Sequence, residues 1–260
     1  MPDGSRDQAS GPAANVLPDF TGHPYVMVLD RLHQVLQPKT YLEIGTFAGV
    51  SLALSRCAAI AVDPEFKISD PQIVAKAIDR PSLMLFQTTS DVFFAEHDPM
   101  RLFGRPVDFA FLDGMHRCEF LLRDFMNTER HCRSNSVVAL HDCLPPEEAI
   151  ATRIKGEIPV SSPEREPWWT GDVWRTALYL KRHRPDLDIV CLDAPDTGLV
   201  LITNLDPAFH TRGWNYHQAV RTMLEWELRD IGLRALFAEL GVESTDTLLH
   251  HHQITARYWL

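Results

Sequence analysis

The chain has 260 residues, of which 45% are apolar and 23% are charged, a composition typical of a globular protein with a hydrophobic core. Its formal charge of −10 argues against nucleic acid as the main partner, because proteins that bind phosphate backbones need clustered Lys and Arg side chains. No apolar run approaches the about 18 residues of a membrane-spanning helix, residues 1–15 show no secretory signal, and the five cysteines form no CxxC pair, so we expect a cytoplasmic protein without membrane contact.

Residues 23–142 alternate between short apolar runs and segments with helical spacing. The apolar runs predict strands at 40–44, 58–62, 83–87, 107–112 and 136–140. Apolar residues three and four positions apart predict helices at 23–36, 50–57, 71–78, 91–97 and 116–131. Strands that alternate with helices form right-handed βαβ units, so we predict an α/β fold with a doubly wound, mostly parallel sheet.

The pattern changes in the second half of the chain. Prolines and paired tryptophans predict a long loop at 156–170, and helices are expected at 173–183 and at 215–240, the latter with a break near Gly232. Runs at 187–192 and 199–202 predict two strands that pair antiparallel at the sheet edge. We divide the chain into a disordered lead (1–18), an α/β domain (19–206) and a C-terminal helical extension (207–260). The apolar face of this extension either packs on the core or joins copies in a homo-oligomer.

A glycine turn follows the first predicted strand, in the string Glu43-Ile44-Gly45-Thr46-Phe47-Ala48-Gly49. Gly45 permits a sharp turn, and Gly49 lets a ligand approach the backbone at the start of a helix. Asp63 ends the second strand, where a carboxylate can accept hydrogen bonds from both ribose hydroxyls. The turn lacks the central glycine of a dinucleotide site, and Glu43 would repel a pyrophosphate and attract a cationic ligand. These features disfavour a dinucleotide cofactor.

Acidic and imidazole side chains end the fourth and fifth strands. Asp113-Gly114-Met115-His116 follows one strand, and His141-Asp142 ends the next. Because ligands bind at the carboxyl ends of parallel strands, we expect both groups to lie beside the cofactor. Carboxylates with an imidazole can hold a divalent cation, and a neutral imidazole can take the proton of a hydroxyl. The alternative is that Asp113 caps a helix while His141 and Asp142 bond loop backbone.

These motifs together resemble the class I S-adenosylmethionine-dependent methyltransferases over residues 38–142. The resemblance implies a Rossmann-like sheet with N- and C-terminal helical additions and S-adenosylmethionine as the cofactor. It implies cofactor contacts from the glycine turn and the ends of the next strands, namely Glu43, Gly45, Thr46, Phe47, Gly49, Asp63, Ser90, Asp91 and Asp113. For Asp91, an ordinary helix cap is the alternative.

The Asp113-to-His116 string, followed by Asp124 and His141-Asp142, is similar to the methyltransferase group that includes macrolide-sugar O-methyltransferases. Gly171-Asp172-Val173-Trp174 and Thr197-Gly198-Leu199 are also similar to features of that group. The resemblance implies that His116 is the general base and that Asp113 and Asp142 bind a divalent metal such as magnesium or manganese, and His141 is a third candidate ligand. Those enzymes have an aspartate where this chain has His141, and an imidazole favours transition metals. The presence and identity of a metal therefore stay open.

We expect an O-methyltransferase that acts on a small hydroxylated acceptor such as a sugar, a glycoside or another natural product. The alternatives are a metal-independent methyltransferase of the same fold, an NAD-dependent oxidoreductase, and a non-catalytic cofactor-binding partner protein. Trp168, Trp169 and Trp174 are candidates for an aromatic lid over the acceptor, although large aromatic side chains more often pack in a core. Asp172 is expected to cap the helix that starts at Val173 rather than to bind a hydroxyl.

Overall fold

The computed structural model describes residues 16–212 and 214–260. Its helices are α1 (Tyr25–Leu36), α2 (Pro71–Ile78), α3 (Ser90–Glu96), α4 (Pro99–Phe103), α5 (Cys118–Glu129), α6 (Trp174–His183), α7 (Tyr216–Leu224), α8 (Leu228–Ile231), α9 (Leu233–Leu240) and α10 (His251–Arg257). Its strands are β1 (Thr40–Ile44), β2 (Ala58–Val62), β3 (Leu83–Phe86), β4 (Val107–Leu112), β5 (Cys132–His141), β6 (Asp188–Leu192), β7 (Leu199–Thr203) and β8 (Val242–Glu243). None of the helices in these residues has the length and apolar character needed to cross a membrane.

One sheet contains all the strands named above, in the order β3-β2-β1-β4-β5-β7-β6-β8. Strands β1 to β5 are parallel, β7 is antiparallel to both β5 and β6, and β8 is parallel to β6. The chain turns from one half of the sheet to the other between β1 and β4, which opens a crevice at their carboxyl ends. The predicted Rossmann-like, doubly wound fold with an antiparallel hairpin is confirmed. The two-residue strand β8, which was not predicted, lies outside this hairpin.

Both faces of the sheet are covered by helices. On one face, Leu42 and Ile44 of β1 belong to a core that includes Phe125 of α5 and Leu236 of α9. On the other face, Tyr41 belongs to a second core with residues of α1, α2 and α10. Successive residues of a strand point to opposite faces, so β1 contributes to both cores. The continuous apolar runs of the central strands follow from this two-sided burial.

The prediction of a helix at 50–57 is wrong, because this segment contains only a short 3₁₀ turn at Leu52–Leu54. The Leu52 carbonyl accepts hydrogen bonds from the Ser55 amide at 3.3 Å and from the Arg80 guanidinium at 2.8 Å. A continuing α-helix would need that carbonyl for the amide four residues later. The expected helix N-terminus beside Gly49 is therefore also wrong.

Other helices also differ from prediction, mostly by one or two residues at their ends. Helix α5 begins at Cys118, so His116 lies in the turn before the helix rather than in its first turn. The C-terminal segment is interrupted at 225–227 as well as at Gly232. At the first of these breaks, the Trp226 carbonyl accepts hydrogen bonds from the Arg175 guanidinium at 2.6 and 3.0 Å. Helix α4 was not predicted.

The two ends of the chain pack on the sheet domain. Residues 1–15 of the predicted disordered lead lie outside the described residues, whereas Val16 forms a β-bridge with Glu147. The apolar face of the C-terminal extension, including Met223, Leu233 and Leu236, is buried in the main core. That face therefore packs on the chain's own core, which was one of the two expected arrangements. The domain boundaries after residues 18 and 206 stay predictions.

Candidate functional site

The glycine turn brings the ends of β1 and β4 into close contact. Gly45 has a φ of +86°, and a Cβ at this position would lie 2.0 Å from the Asp113 carbonyl oxygen. Only glycine tolerates both this left-handed conformation and this close approach. The turn therefore holds Asp113 directly beside the end of β1.

A cavity of about 600 Å³ lies at the carboxyl ends of β1, β2 and β4. The predicted site residues that line it are Gly45, Phe47, Asp63, Ser90, Asp91, Asp113 and His116. Its wall also includes residues that were not singled out from the sequence, among them Thr89, Arg117 and Phe120. The position of the cavity agrees with the rule that ligands bind at this edge of a doubly wound sheet.

Asp63 connects the cavity to the glycine turn. Its two carboxylate oxygens each accept one backbone N–H, from Phe47 and from Glu65, both at 2.7 Å. Each oxygen keeps lone-pair capacity for a further donor. Asp63 therefore fixes the backbone of the turn and can still receive a hydroxyl from a ligand.

Asp91 is held by an arginine of the neighbouring helix. Arg123 of α5 donates two hydrogen bonds of 2.5 Å to its carboxylate, and a third of 3.0 Å to the Tyr216 hydroxyl of α7. The amide of Val92 bonds the Thr89 hydroxyl, which is the side-chain cap of α3. The alternative interpretation of Asp91 as the cap of this helix is wrong, because Thr89 has that role.

Three of the predicted cofactor contacts do not line the cavity: Glu43, Thr46 and Gly49. Glu43 is fully buried beneath the turn and accepts hydrogen bonds from the hydroxyls of Tyr41 and, at 3.1 Å, Ser51. Burial, partly opposed by these hydroxyls, raises the pKa of Glu43 to about 7. Its contact with a cofactor stays a prediction.

A second cavity of about 260 Å³ adjoins the first, and Asp113, His116 and Trp169 line both. It also contains His141 and Asp142, so the structure brings the two predicted catalytic groups together. Its remaining wall comes from segments to which the sequence motifs gave no catalytic role: Tyr25, Pro167, Trp168, Asp196 and Thr197. Tyr25 gave no signal in the sequence because it lies on α1, before the motifs begin.

His116 is fixed on both sides of its ring. Its Nδ1 lies 2.9 Å from the Trp169 carbonyl oxygen, and its ring stacks on the Trp169 indole with 5.3 Å between centroids. Its Nε2 lies 3.3 Å from a carboxylate oxygen of Asp142 and 3.6 Å from one of Asp113. Burial disfavours the imidazolium, but these carboxylates outweigh it and raise the pKa of His116 to about 9.

Asp113, His141 and Asp142 place one ligand atom each within 4.8 Å of one another. Both ring nitrogens of His141 are buried and have no hydrogen-bond partner among the described residues. Asp142 has a left-handed backbone, with φ at 61°, and accepts a hydrogen bond from the Thr197 hydroxyl. Burial tends to raise the pKa of Asp113, but His141 and His116 hold that pKa near 2. Nδ1 of His141 lies 3.5 Å from Asp113 and 3.4 Å from Asp142, so two carboxylates and an imidazole converge in a donor set suited to a divalent cation.

Gly171 and Asp172 pack against the turn that contains His116. Gly171 has a φ of +60°, and a Cβ there would lie 1.8 Å from the His116 carbonyl oxygen. Asp172 accepts a hydrogen bond of 2.9 Å from the Cys118 amide at the start of α5 and is paired with Arg153 and Arg175. The expectation that Asp172 caps the helix after Val173 is wrong, because its carboxylate caps α5 instead.

The three tryptophans divide between the core and the site. Trp174 is only 1% exposed and belongs to the main core. Trp168 and Trp169 line the smaller cavity, and the Trp169 indole N–H donates a 2.8 Å hydrogen bond to the Thr152 carbonyl. The aromatic wall over the predicted acceptor position therefore comes from two tryptophans of the loop.

Residues 42–143 match the family model described as a methyltransferase domain. This segment of the chain is similar to methyltransferase domains. This matched segment contains the glycine turn, Asp63 and the Asp113-to-Asp142 cluster, and the match confirms the predicted class of enzyme. The narrower resemblance to macrolide-sugar O-methyltransferases stays a prediction. Curated protein sequences give no match to the chain.

Solved methyltransferases are among the structures to which this chain is similar. The O-methyltransferase TomG from Streptomyces achromogenes, involved in tomaymycin synthesis and solved with SAM, has 17% identity and a TM-score of 0.50 over 69% of this chain and 78% of its own. An O-methyltransferase from Bacillus cereus, solved with SAH, has 16% identity and a TM-score of 0.44 over 72% of this chain and 84% of its own. At these identities, the similarity to TomG concerns the fold of the methyltransferase domain alone.

Proposed function

We propose that the protein transfers the methyl group of S-adenosylmethionine to a hydroxyl oxygen of a small acceptor, with His116 as general base. The observation that carries this proposal is the position of His116 in the wall shared by two cavities. The larger cavity would hold the cofactor and the smaller cavity the acceptor. Their boundary is then the place where a methyl group and an acceptor hydroxyl meet.

The larger cavity has the groups that an adenosyl cofactor needs. Asp63 keeps lone pairs for ribose hydroxyls, and Asp91 lies farther along the same wall. Phe47 and Phe120 add apolar surface for an aromatic base. The structures of TomG and of the Bacillus cereus enzyme contain SAM and SAH respectively, which supports the same donor here.

The hydrogen bonds of His116 decide which ring nitrogen accepts a proton. The Trp169 carbonyl can only accept, so Nδ1 carries a hydrogen, and the lone pair of the neutral ring lies on Nε2. We propose that Nε2 takes the acceptor's hydroxyl proton while the oxygen forms a bond to the methyl carbon. The carbon–sulfur bond breaks at the same time, and its electron pair neutralises the sulfonium.

The cluster of Asp113, His141 and Asp142 fits a divalent cation, because its ligand atoms converge and the buried imidazole nitrogens of His141 make no hydrogen bond with the described residues. When bound there, magnesium or manganese would polarise the acceptor hydroxyl and balance the carboxylate charge that otherwise favours protonated His116. The mixed oxygen and nitrogen donors favour manganese over magnesium. Asp113, His141 and Asp142 would supply the ligands, and Thr197 would hold Asp142 in place.

Substitution of the proposed base tests the reaction directly. We expect His116→Ala to lower turnover about a hundredfold or more, because a positioned base contributes about that factor. The affinity for S-adenosylmethionine, measured by calorimetry, should change little. His210→Ala, at an exposed histidine away from both cavities, is the matched control. Unchanged turnover in His116→Ala would remove His116 from the proposed role.

Binding experiments separate the proposed donor from the alternatives. Calorimetry should detect S-adenosylmethionine and should show much weaker binding of NAD, because the glycine turn lacks the central glycine of a dinucleotide site. Tighter binding of NAD would overturn the proposal. Binding of S-adenosylmethionine without turnover on any acceptor would instead identify a non-catalytic cofactor-binding protein.

Manganese binding can be measured without turnover, by electron paramagnetic resonance of the free ion. We expect Asp142→Asn to weaken manganese binding, and His141→Asp to shift the preference toward magnesium because it adds an oxygen ligand. Asp188→Asn, at an exposed aspartate outside both cavities, should bind manganese like the unmodified protein. Full activity after EDTA treatment would favour the metal-independent alternative.

A further inference from the structure

Asp196 differs from the other carboxylates of the smaller cavity. Asp113 and Asp142 contact the imidazoles of His116 and His141, and Asp142 also receives the Thr197 hydroxyl. Asp196 lines the same cavity, yet no residue in the described ranges 16–212 and 214–260 donates a hydrogen bond or forms an ion pair with its side chain. It is an exposed carboxylate whose binding capacity is available to a ligand in this cavity.

The positive charges that the described wall can carry are the imidazoles of His116 and His141, and both contact Asp113 and Asp142. The described lining residues include neither Lys nor Arg. Arg165, in the loop that carries Trp168, is almost fully buried and is already paired with Glu147 and Asp19. Partial burial and the charges of Asp19 and Asp142 raise the pKa of Asp196, although His141 opposes them. The three carboxylates of Asp113, Asp142 and Asp196 outnumber these two imidazoles, so the cavity is a region of negative potential.

The rest of the wall is suited to a compact cation. Tyr25, Trp168 and Trp169 supply aromatic surface to the same cavity as Asp196. Aromatic faces attract ammonium groups through their electron distribution, and a nearby carboxylate adds a direct Coulomb attraction. The volume of about 260 Å³ limits the ligand to a small molecule, of about one ring with short substituents.

We propose that Asp196 recognises an ammonium group on the acceptor, so that the preferred substrates are small hydroxylated amines. The hydroxyl that receives the methyl group would face His116, and the ammonium would face Asp196. This proposal rests on the proposed methyl transfer, because it assigns the smaller cavity to the acceptor. It makes Asp196 a specificity-determining residue that has no part in the chemical step.

Three compounds with the same dihydroxylated ring test this assignment: dopamine carries an ammonium group, 4-ethylcatechol is uncharged, and 3,4-dihydroxyphenylacetate carries a carboxylate. Each is titrated by calorimetry into the full-length protein loaded with S-adenosylhomocysteine, and its methylation is measured with S-adenosylmethionine. We expect binding to follow the order dopamine, 4-ethylcatechol, 3,4-dihydroxyphenylacetate, with about tenfold between the first two for one nearby charge pair. The kcat/KM values should follow the same order.

Asp196→Asn isolates the charge at nearly constant size. It should weaken dopamine binding about tenfold, change 4-ethylcatechol binding less than twofold, and strengthen binding of the carboxylate compound. Asp188→Asn, at an exposed aspartate of β6 outside the cavity, should leave all three affinities unchanged. A ranking that Asp196→Asn does not alter would overturn the proposal, as would failure of dopamine to bind.

The same experiments keep this proposal separate from the proposed function. Failure of the protein to bind S-adenosylmethionine or S-adenosylhomocysteine would refute the methyltransferase assignment itself. Normal cofactor binding together with a preference for the carboxylate compound would refute only the role of Asp196. A change of ranking in Asp196→Asn without a change in cofactor affinity would support both.

Discussion

The contact between Gly171 and His116 gives a direct test of how the loop supports the proposed base. Gly171 and Gly156 lie in the same connection between β5 and α6, and both have a positive φ, +60° and +78°. An alanine costs about 1–2 kcal/mol in this conformation, so Gly171→Ala and Gly156→Ala share that loss of stability. They differ in their surroundings, because nothing lies within 4 Å of a Cβ at Gly156.

At Gly171 a Cβ would lie 1.8 Å from the His116 carbonyl oxygen, whereas real Cβ contacts essentially never fall under 3.0 Å. The loop and His116 must therefore separate by roughly 1 Å or more in Gly171→Ala. A displacement of about 1 Å at a catalytic group can cost on the order of a hundredfold in rate. We expect turnover of Gly171→Ala to fall by about that factor, with S-adenosylmethionine affinity within about threefold of the unmodified protein.

The assay measures transfer of a labelled methyl group from S-adenosylmethionine to the best acceptor of the catechol series. Urea unfolding of both variants shows whether each is folded, and Gly156→Ala should keep nearly full turnover. Equal turnover of the two folded variants would refute the argument that the loop positions His116. Loss of cofactor binding in Gly171→Ala would also refute it, because the damage would then extend beyond the imidazole.

Two further predictions concern stability. Burial raises the pKa of Asp124 to about 7, above the about 4 of an unfolded aspartate. The contribution of Asp124 to folding stability is therefore complete below about pH 4 and is lost as the pH rises through 7. Asp124→Asn should raise the melting temperature at pH 8 more than at pH 5, and equal shifts at both pH values would contradict this. Arg165→Met should lower the free energy of unfolding by about 3–5 kcal/mol, because it leaves the buried carboxylate of Glu147 without its cation. Adding Glu147→Gln should recover part of that loss in urea unfolding, and a purely additive double variant would show that the two side chains do not interact.

The parallel half of the fold could be predicted because burial on both faces leaves a simple pattern. Strands β1, β2 and β4 have the predicted bounds, since each is a short, mostly apolar segment that is followed directly by a glycine or an aspartate. The helix expected at 50–57 failed for a non-local reason. Its Leu52 carbonyl is bonded by Arg80, a side chain that is distant in sequence, and no local pattern contains that contact.

Glu43 shows how strand geometry limits inference from a motif. The family resemblance implies a cofactor contact for Glu43, which stays a prediction, but it says nothing about the neighbours of this side chain in the core. Residues two apart on a strand share a face. Tyr41 therefore lies beside Glu43, and its hydroxyl bonds the buried carboxylate. The alternation of side chains between the two faces of a strand would have indicated that Tyr41 and Glu43 are neighbours, whereas the motif alone did not.

The division of the site between segments explains why the chemistry was easier to predict than the acceptor. His116 and Asp142 lie at the ends of sheet strands, where topology alone brings them together. Tyr25, Trp169 and Asp196 come from α1, from the long loop and from the turn after β6, and only tertiary packing joins them. Substitutions in these three segments can change the shape and charge of the smaller cavity without moving Asp63 or the glycine turn. The acceptor can therefore differ between proteins that keep the same strand ends and the same donor cavity.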